Sequence, residues 1–437
     1  LVVQISIVRP GPIQGEMVHP YLQRRAGEEK FDFPLPELKR ILEKTYGVPI
    51  FQEQVMAMAM VVADFSAGEA DNLRRAMGTW KREGGEKLAR IAAHLEEKLV
   101  SKGVKPEFAQ QIVNQIKGFA EYGFPESHAA SFAILAYVSA YLKHYYQDCF
   151  LAGLLNSLPM GFYSSHTLVY DAKRHGVEVR GVELPHSTWD NQVEAPGVVR
   201  LGLREVRGLS KNTGLATESV FKKDPSLGFH AFIKALRDTL FPRPLIKREL
   251  FLMAFAGAFK AFGMSRREAI WEIQALRVEE ELLLAEPEPP PQLPKESTWE
   301  RIRYDYESHG VSLYAHPMSY FRKYLMANLY MDSKSLQQTS KKYVRTSGVV
   351  ICRQMPSTAS GVLFITLEDE FGFVNLVLWK RVYEQFRDII LTHSFLLVEG
   401  KIDSPKNAQV IHLIVDKVSP LLTPDDRLKQ FPSHDFH

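Results

Sequence analysis

The chain has 437 residues, too many for one ordinary hydrophobic core, so two to four domains are expected. It is 45% hydrophobic and 24% charged, with 54 Lys and Arg against 51 Asp and Glu; this excludes a disordered, fibrous or strongly polyionic chain. Two cysteines, Cys149 and Cys352, stand far apart without a His/Cys cluster, which points to a reducing compartment and away from a zinc finger.

The first residues, LVVQISIVRPGPIQGEMVHPYLQRRAG, lack an initiator Met and the features of a signal peptide, so the chain reads as a piece of a longer protein. Prolines either side of Gly11 imply a rigid turn, and Arg9, Arg24 and Arg25 add positive charge. From Pro36 to about Ser157, apolar residues recur at three- and four-residue spacing, as helices require. Ser66 and Ser127 are expected N-caps, with Glu69 completing a capping box at Ser66. Gly103 and Gly118 are expected stops or breaks. The apolar runs VMAMAMVVADF and ELFLMAFAGAF are too short to span a bilayer.

Residues from about Ser165 to Leu203 shift to short β-like runs, VEVRGVELP and VVRLGL. Helical texture returns from about Arg204 to Glu281, interrupted at VRGLS and AFGMSRRE. The stretch EEELLLAEPEPPPQLPKEST is acidic, proline-rich and linker-like. After a short helical segment come five strands, with a helix, KRVYEQFRDII, before the fourth. That order suggests a small Greek-key barrel of the oligonucleotide-binding (OB) type.

Three places are candidates for chemistry. In NLRRAMGTWKREGG, Arg74 and Arg75 carry planar forks suited to phosphate oxygens, and Lys81 and Arg82 follow. Nine basic and five acidic residues lie between Asp71 and Lys105, but a charge run of this kind also describes a solvated helix face, and composition leaves both open. In AEYGFPESHAASFAILAY, His128 would sit in a first helical turn, where free N–H groups favour anions, beside Tyr122 or Phe124 as a stacking face; a packing histidine is the alternative. In VRGLSKN and AFGMSRREA, backbone N–H groups of a helix-hairpin-helix could meet phosphates, in a region of about fifteen basic against nine acidic residues. The alternative there is a loop glycine that simply ends a helix.

Common catalytic templates are missing: no GxxxxGK[ST], GxGxxG, HExxH or CxxC, and no Asp two residues from another. The cluster Glu368, Asp369 and Glu370 sits between two strands and reads as a hairpin turn rather than a metal site. Phe364, Phe373 and Trp379 are candidates for base stacking, although alternation favours core packing for at least two of them.

The words ISIVRPGPIQGEMVHPYL, YGVPIFQEQVM, LRRAMG, FAEYGFPESHAASFAILAY, GVSLYAHPM, FITLEDEFGFVNLVLW and HDFH run across nearly the whole chain. In that order they resemble the α subunit of bacterial C-family DNA polymerases, nearest its error-prone, translesion branch. The resemblance implies a multidomain α+β fold: mostly helical fingers (1–160), a small mixed connection (161–203) and a tandem helix-hairpin-helix region (204–281). A Pro/Glu-rich linker with a helical segment (282–343), an OB-type β-barrel (344–420) and a tail (421–437) would follow. It implies nucleotide binding by Arg74, Arg75, Lys81, Ser127 and His128. It implies DNA binding by Arg207, Gly208, Lys211, Arg266, Arg267, Phe373 and Trp379. By the same likeness, Mg²⁺ is held by palm aspartates upstream of the RPGP words, outside this chain, which would be inert alone. VRGLS departs from the family in having Ser210 where a hairpin usually has its second glycine. The implied partners are primer–template DNA and dNTPs, with the sliding clamp reached through translesion accessory proteins; no membrane is involved and the location is the bacterial cytoplasm. The other readings are a non-catalytic DNA-binding protein with helical modules and an OB barrel, or an RNA-binding OB protein.

Overall fold

The computed structural model describes residues 1–7, 18–33, 35–62, 64–83, 86–119, 124–161, 163–245, 247–276, 292–356, 361–403, 411–424 and 434–436. Side chains at 18, 76–89, 111–112, 115–119 and 434–436 also lie outside the description. The RPGP turn, Arg9, Tyr122 and most of the acidic linker therefore fall outside the described residues. The chain forms two compact units, Leu1–Tyr145 and Tyr146–His437.

The first unit is entirely helical: α1 (Val2–Ile7), α2 (Val18–Ala26), α3 (Pro36–Leu42), α4 (Gln52–Val62), α5 (Ala67–Glu83), α6 (Glu86–Ser101), α7 (Pro106–Phe119) and α8 (Glu126–Tyr145). Its core gathers Leu38, Leu42, Ile50, Phe51, Val55, Met58, Leu73, Leu95 and Leu99. The expected capping box is present: Ser66 Oγ accepts the Glu69 N–H (3.3 Å) and Glu69 accepts the Ser66 N–H (2.8 Å). Gly103 takes φ +88° just after α6, a conformation that L side chains resist, and so ends that helix. Gly118 instead lies inside the last turn of α7.

Gln54 is a buried polar hub in this unit. Its Oε1 accepts the Ile50 and Phe51 N–H groups (2.9 and 3.0 Å), and its Nε2 donates to the Ile41 carbonyl and Thr45 Oγ1 (3.1 and 2.9 Å). One amide thus satisfies the turn that joins α3 to α4. Helix α8 behaves differently. Only Ala129 and Ala133 are buried, while Phe132, Ile134, Leu135, Tyr137, Val138, Tyr141, Leu142 and Tyr145 are exposed.

The second unit opens with α9 (Gln147–Asn156) and α10 (Ser165–Arg174), then a three-stranded sheet of β1 (Glu178–Arg180), β2 (Gln192–Ala195) and β3 (Val198–Arg200). β3 lies in the middle, parallel to β1 and antiparallel to β2. Helices α11 (Lys211–Lys223), α12 (Phe229–Leu240), α13 (Lys247–Phe255) and α14 (Arg266–Ala275) follow and pack as two pairs, α11 with α12 and α13 with α14. A cluster of rings, Phe221, Phe229, Phe232, Phe259 and Phe262, fills the space among them. Gly214 lets α11 close on Trp189, whose ring occupies the place a Cβ would take.

Helices α15 (Thr298–His309), α16 (Pro317–Ala327) and α17 (Ser333–Gln338) lead into the barrel strands β4 (Tyr343–Gln354), β5 (Leu363–Glu368), β6 (Phe373–Leu378), β7 (Phe395–Ile402) and β8 (His412–Pro420). Their order is β5-β6-β8-β7-β4, and a β4–β5 pairing closes the barrel. β6 and β8 run parallel, with α18 (Lys380–Thr392) between β6 and β7, which is the expected OB arrangement. Long β4 serves both sides of the closure, and at Gly348 a Cβ would press to 2.8 Å on Leu367 and 2.9 Å on the Glu368 carbonyl. β9 (His434–Phe436) adds a parallel strand beside β4. Inside the barrel lie Val350, Leu363, Ile365, Leu367, Val374, Leu376, Leu378, Leu396 and Leu413.

Candidate nucleotide and nucleic-acid interface

On α5, Leu73 and Ala70 turn inward while Arg74 and Arg75 reach back to one carboxylate, Asp71. Arg74 meets Asp71 Oδ1 at 2.8 Å and Arg75 meets Oδ2 at 2.7 Å, one fork per oxygen. The hydrogen bond from Arg74, working against slight desolvation and helped by Arg75, holds the Asp71 carboxyl below its usual range. Both guanidinium groups stay accessible, 40% and 68% exposed, so they are oriented yet reachable. Lys81 belongs to α5, but its side chain lies outside the description.

Ser127 is not the N-cap of α8. The helix starts one residue earlier, at Glu126, whose N–H is taken by the Glu53 carboxylate (3.0 Å), a long-range cap that makes a local one redundant. Ser127 and His128 are exposed in the first turn and share a shallow depression with Phe124, Pro125 and Ser131. The His128 ring packs edge-on to Phe124 (centroids 5.1 Å) and against Phe132 (4.6 Å). Neither Arg74 nor Arg75 lines that depression. Arg24 is fixed inside its unit by Glu29, the Tyr46 carbonyl and the Phe31 ring.

In the hairpin before α11, Gly208 has φ +82° and supplies the turn, and Lys211 is exposed at the first helical position. Ser210, the residue that replaces a glycine, caps α11 through Thr213 N–H (3.2 Å). The backbone N–H of Ser210 goes to Glu249 Oε1 (3.2 Å), and Thr213 Oγ1 donates to Glu249 Oε2 (2.6 Å). Burial works to raise the Glu249 carboxyl, but the hydrogen bonds from Ser210 and Thr213 prevail and hold it low. A carboxylate of the chain itself thus occupies the anion position at this helix N-terminus.

The basic residues of the hairpin region are largely spoken for. Arg207 Nη1 donates to the Tyr306 carbonyl (3.0 Å). Arg266 is ion-paired to Asp305 and to Glu296 (3.7 Å), and Arg267 to Glu300 (2.9 Å) and the Pro294 carbonyl (2.7 Å). Charge sign alone could not reveal these partners, because all five acceptors, from Pro294 to Tyr306, follow the proline run of the linker in sequence. Nearby His309 is pulled from 6.5 to about 4, by burial first, partly opposed by Asp305 and reinforced by Arg266 and Arg207.

On the barrel, Phe364, Phe373 and Trp379 are all exposed, which corrects the expectation that at least two pack inside. The pleat explains it: aliphatic Leu363, Ile365 and Leu367 of β5, with Val374, Leu376 and Leu378 of β6, take the inner positions. Trp379 leaves the strand as the N-cap position of α18, and Arg174 lies over the Phe373 ring at 4.9 Å.

The three acidic residues 368–370 part company. Asp369 builds the hairpin, accepting from Phe371, Gly372 and Ser333, and Glu370 accepts from Nε and Nη2 of Arg322 (2.6 and 2.7 Å). Glu368, fully buried, meets His166 Nε2 at 2.7 Å, and His166 Nδ1 meets Tyr306 Oη at 2.8 Å. His316 completes a group whose ligand-type atoms all lie within 4.8 Å of one another. No spacing motif signals this cluster, since His166 and Glu368 stand 202 residues apart. Two imidazoles with one carboxylate do not fit Mg²⁺, which takes all-oxygen shells, and among the described residues no other such cluster occurs.

A helical unit, paired helix-hairpin-helix elements and a closed OB barrel together define a nucleic-acid-handling class of protein. Family profiles agree: residues 1–103 match the bacterial DNA polymerase III alpha subunit finger domain, 176–269 a helix-hairpin-helix motif, and 344–421 an OB-fold nucleic acid binding domain. Curated relatives named error-prone DNA polymerase align along the whole chain. That of Pseudomonas aeruginosa is 43% identical over 450 residues, covering 100% of this chain and 42% of the relative. That of Dechloromonas aromatica is 42% identical over 440 residues, with the same coverages. That of Sinorhizobium medicae is 40% identical, covering 97% of this chain and 40% of the relative. The chain is similar along its whole length to these error-prone DNA polymerases, its first 103 residues match the bacterial DNA polymerase III alpha subunit finger domain, and it spans about two fifths of the length of these relatives. Among solved structures, asparaginyl-tRNA synthetase from Pyrococcus horikoshii aligns over 19% of this chain and 20% of its own, at 23% identity and a TM-score of 0.16, too low to carry an argument. Among the described residues, no helix is long and apolar enough to cross a membrane.

Proposed function

We propose that this chain supplies the nucleotide-gripping, duplex-tracking and template-meeting parts of an error-prone DNA-directed DNA polymerase. The observation that carries the reading is collinearity: finger, helix-hairpin-helix and OB matches follow one another in a chain that aligns end to end with error-prone polymerases. In this reading residues 1–160 act as fingers, 204–281 track the duplex and 344–420 meet single-stranded template. The reaction is nucleotidyl transfer from dNTPs to a primer in translesion synthesis, with the two Mg²⁺ ions held by residues outside this chain. The sliding clamp is reached through accessory proteins, in the bacterial cytoplasm.

Arg74 and Arg75 do the electrostatic work. Asp71 keeps both forks side by side while no nucleotide is present. A triphosphate offers more charge and more acceptor oxygens than one carboxylate, so the forks exchange partners and neutralise it. His128, on its exposed first turn, adds a positioning contact.

The test uses a polymerase of the relatives' full length with Arg74→Ala and Arg75→Ala. The apparent KM for dNTP should rise by about 10- to 100-fold, with duplex affinity little changed. An unchanged KM removes the pair from the nucleotide site.

A further inference from the structure

We infer that His166, His316 and Glu368 form a zinc site that ties three separate segments of the second unit together. His166 comes from the first turn of α10, His316 from the turn that enters α16, and Glu368 from the end of barrel strand β5. Their relative exposures are 4%, 3% and 0%, so the three groups converge in the interior.

The second line of support is a pair of orphaned atoms. His316 Nε2 and Glu368 Oε1 are buried with no hydrogen-bond partner among the described residues. Buried polar atoms in folded proteins are almost always partnered, and two orphans facing one cluster mark a missing occupant. Arg174 Nη1, the nearest cation to Glu368 Oε1, stands 3.7 Å away, beyond hydrogen-bond reach.

The donor set favours a borderline metal such as zinc over a hard one. Two imidazole nitrogens and one carboxylate oxygen suit Zn²⁺ and disfavour Mg²⁺ or Ca²⁺. Tyr306 Oη at 2.8 Å from His166 Nδ1 is the outer hydrogen bond that ligating histidines ordinarily make, leaving Nε2 for the ion. Ligand atoms of a tetrahedral zinc stand about 3.3 Å apart, from Zn–N distances near ~2.05 Å. The His166–Glu368 separation of 2.7 Å would open by roughly half an ångström around the ion.

One hydrogen bond opposes binding. His316 Nδ1 accepts the Met318 N–H at 3.1 Å, which places the ring proton on Nε2. Ligation at Nε2 moves that proton to Nδ1 and gives up this cap of α16. Without metal, the same tautomer leaves a buried Nε2–H with nothing to donate to, so the apo state carries an unpaired donor in exchange for its cap.

The test titrates the whole 437-residue chain, dialysed against chelator, with Zn²⁺ in competition with a chromophoric chelator. One tight equivalent is expected, with a rise in Tm on saturation and no response to Mg²⁺. His316→Gln and His166→Gln should each weaken uptake by about 100-fold or more. The absence of a stoichiometric equivalent in the parent overturns the site, as does uptake unchanged in His316→Gln. Should that variant fold poorly, zinc-edge absorption of the loaded parent decides: two imidazoles with oxygen ligands support the assignment, and a sulfur ligand or any other imidazole count overturns it.

Discussion

Arg266 allows two readings of the hairpin region to be separated. As a DNA contact its loss would weaken duplex binding; as an internal anchor its loss would destabilise the fold. Its side chain is 12% exposed, facing Asp305 at 8% and Glu296 at 17%. Removing one partner of a buried pair costs about 3–5 kcal/mol, because the other charge is stranded. Ser312 Oγ still donates to Asp305 Oδ2 at 2.8 Å, so the lower end, about 3 kcal/mol, is the better figure for Arg266→Ala. At this size 1 kcal/mol moves Tm by roughly 2–4 °C, giving a fall of about 6–12 °C in thermal unfolding followed by circular dichroism. Asp305→Asn in the same background should recover part of the loss, since it removes the stranded charge, and the double-mutant cycle measures the coupling. A Tm within about 2 °C of the parent, with the salt slope of duplex binding lowered by about one, would instead make Arg266 a DNA contact.

Two further outcomes are expected. Folded His309 titrates near 4 and its unfolded counterpart near 6.5, so as pH falls the unfolded chain takes up the proton first. Stability is then lost between about pH 6.5 and 4, by roughly 3 kcal/mol from this residue. His309→Gln should flatten urea-measured stability across that window; an unchanged slope would show that other groups set it. In the first unit, Gln54→Ala strands two backbone N–H groups, the Ile41 carbonyl and the Thr45 hydroxyl, and should cost at least about 2 kcal/mol in denaturant midpoint analysis. A loss under about 0.5 kcal/mol would mean that solvent replaces the amide.

Local patterns were readable where neighbours in sequence are neighbours in space. Helical spacing gave α3 to α8, Ser66 and Glu69 gave a capping box, and strand alternation with a helix before the fourth strand gave the barrel. The start of α8 was missed because its cap, Glu53, lies 73 residues upstream. Alternation said that β5 has two faces but did not say that Leu363, Ile365 and Leu367 would outcompete Phe364 for the inside. The partners of Arg266 and Arg267 were hidden because Glu296 stands at the end of the proline-rich linker and Glu300 and Asp305 follow it. The histidine cluster was invisible for the same reason on a larger scale, and Glu368 looked like a turn residue because Asp369 beside it is one.

Helix α8 has a practical consequence. Eight exposed aliphatic and aromatic side chains on one helix, from Phe132 to Tyr145, make an adhesive strip of the kind that promotes self-association in water. Preparations of the 437-residue chain by itself will clump as they are concentrated. Mild detergent will reverse this without touching secondary structure, so such clumping is a symptom of stickiness rather than misfolding.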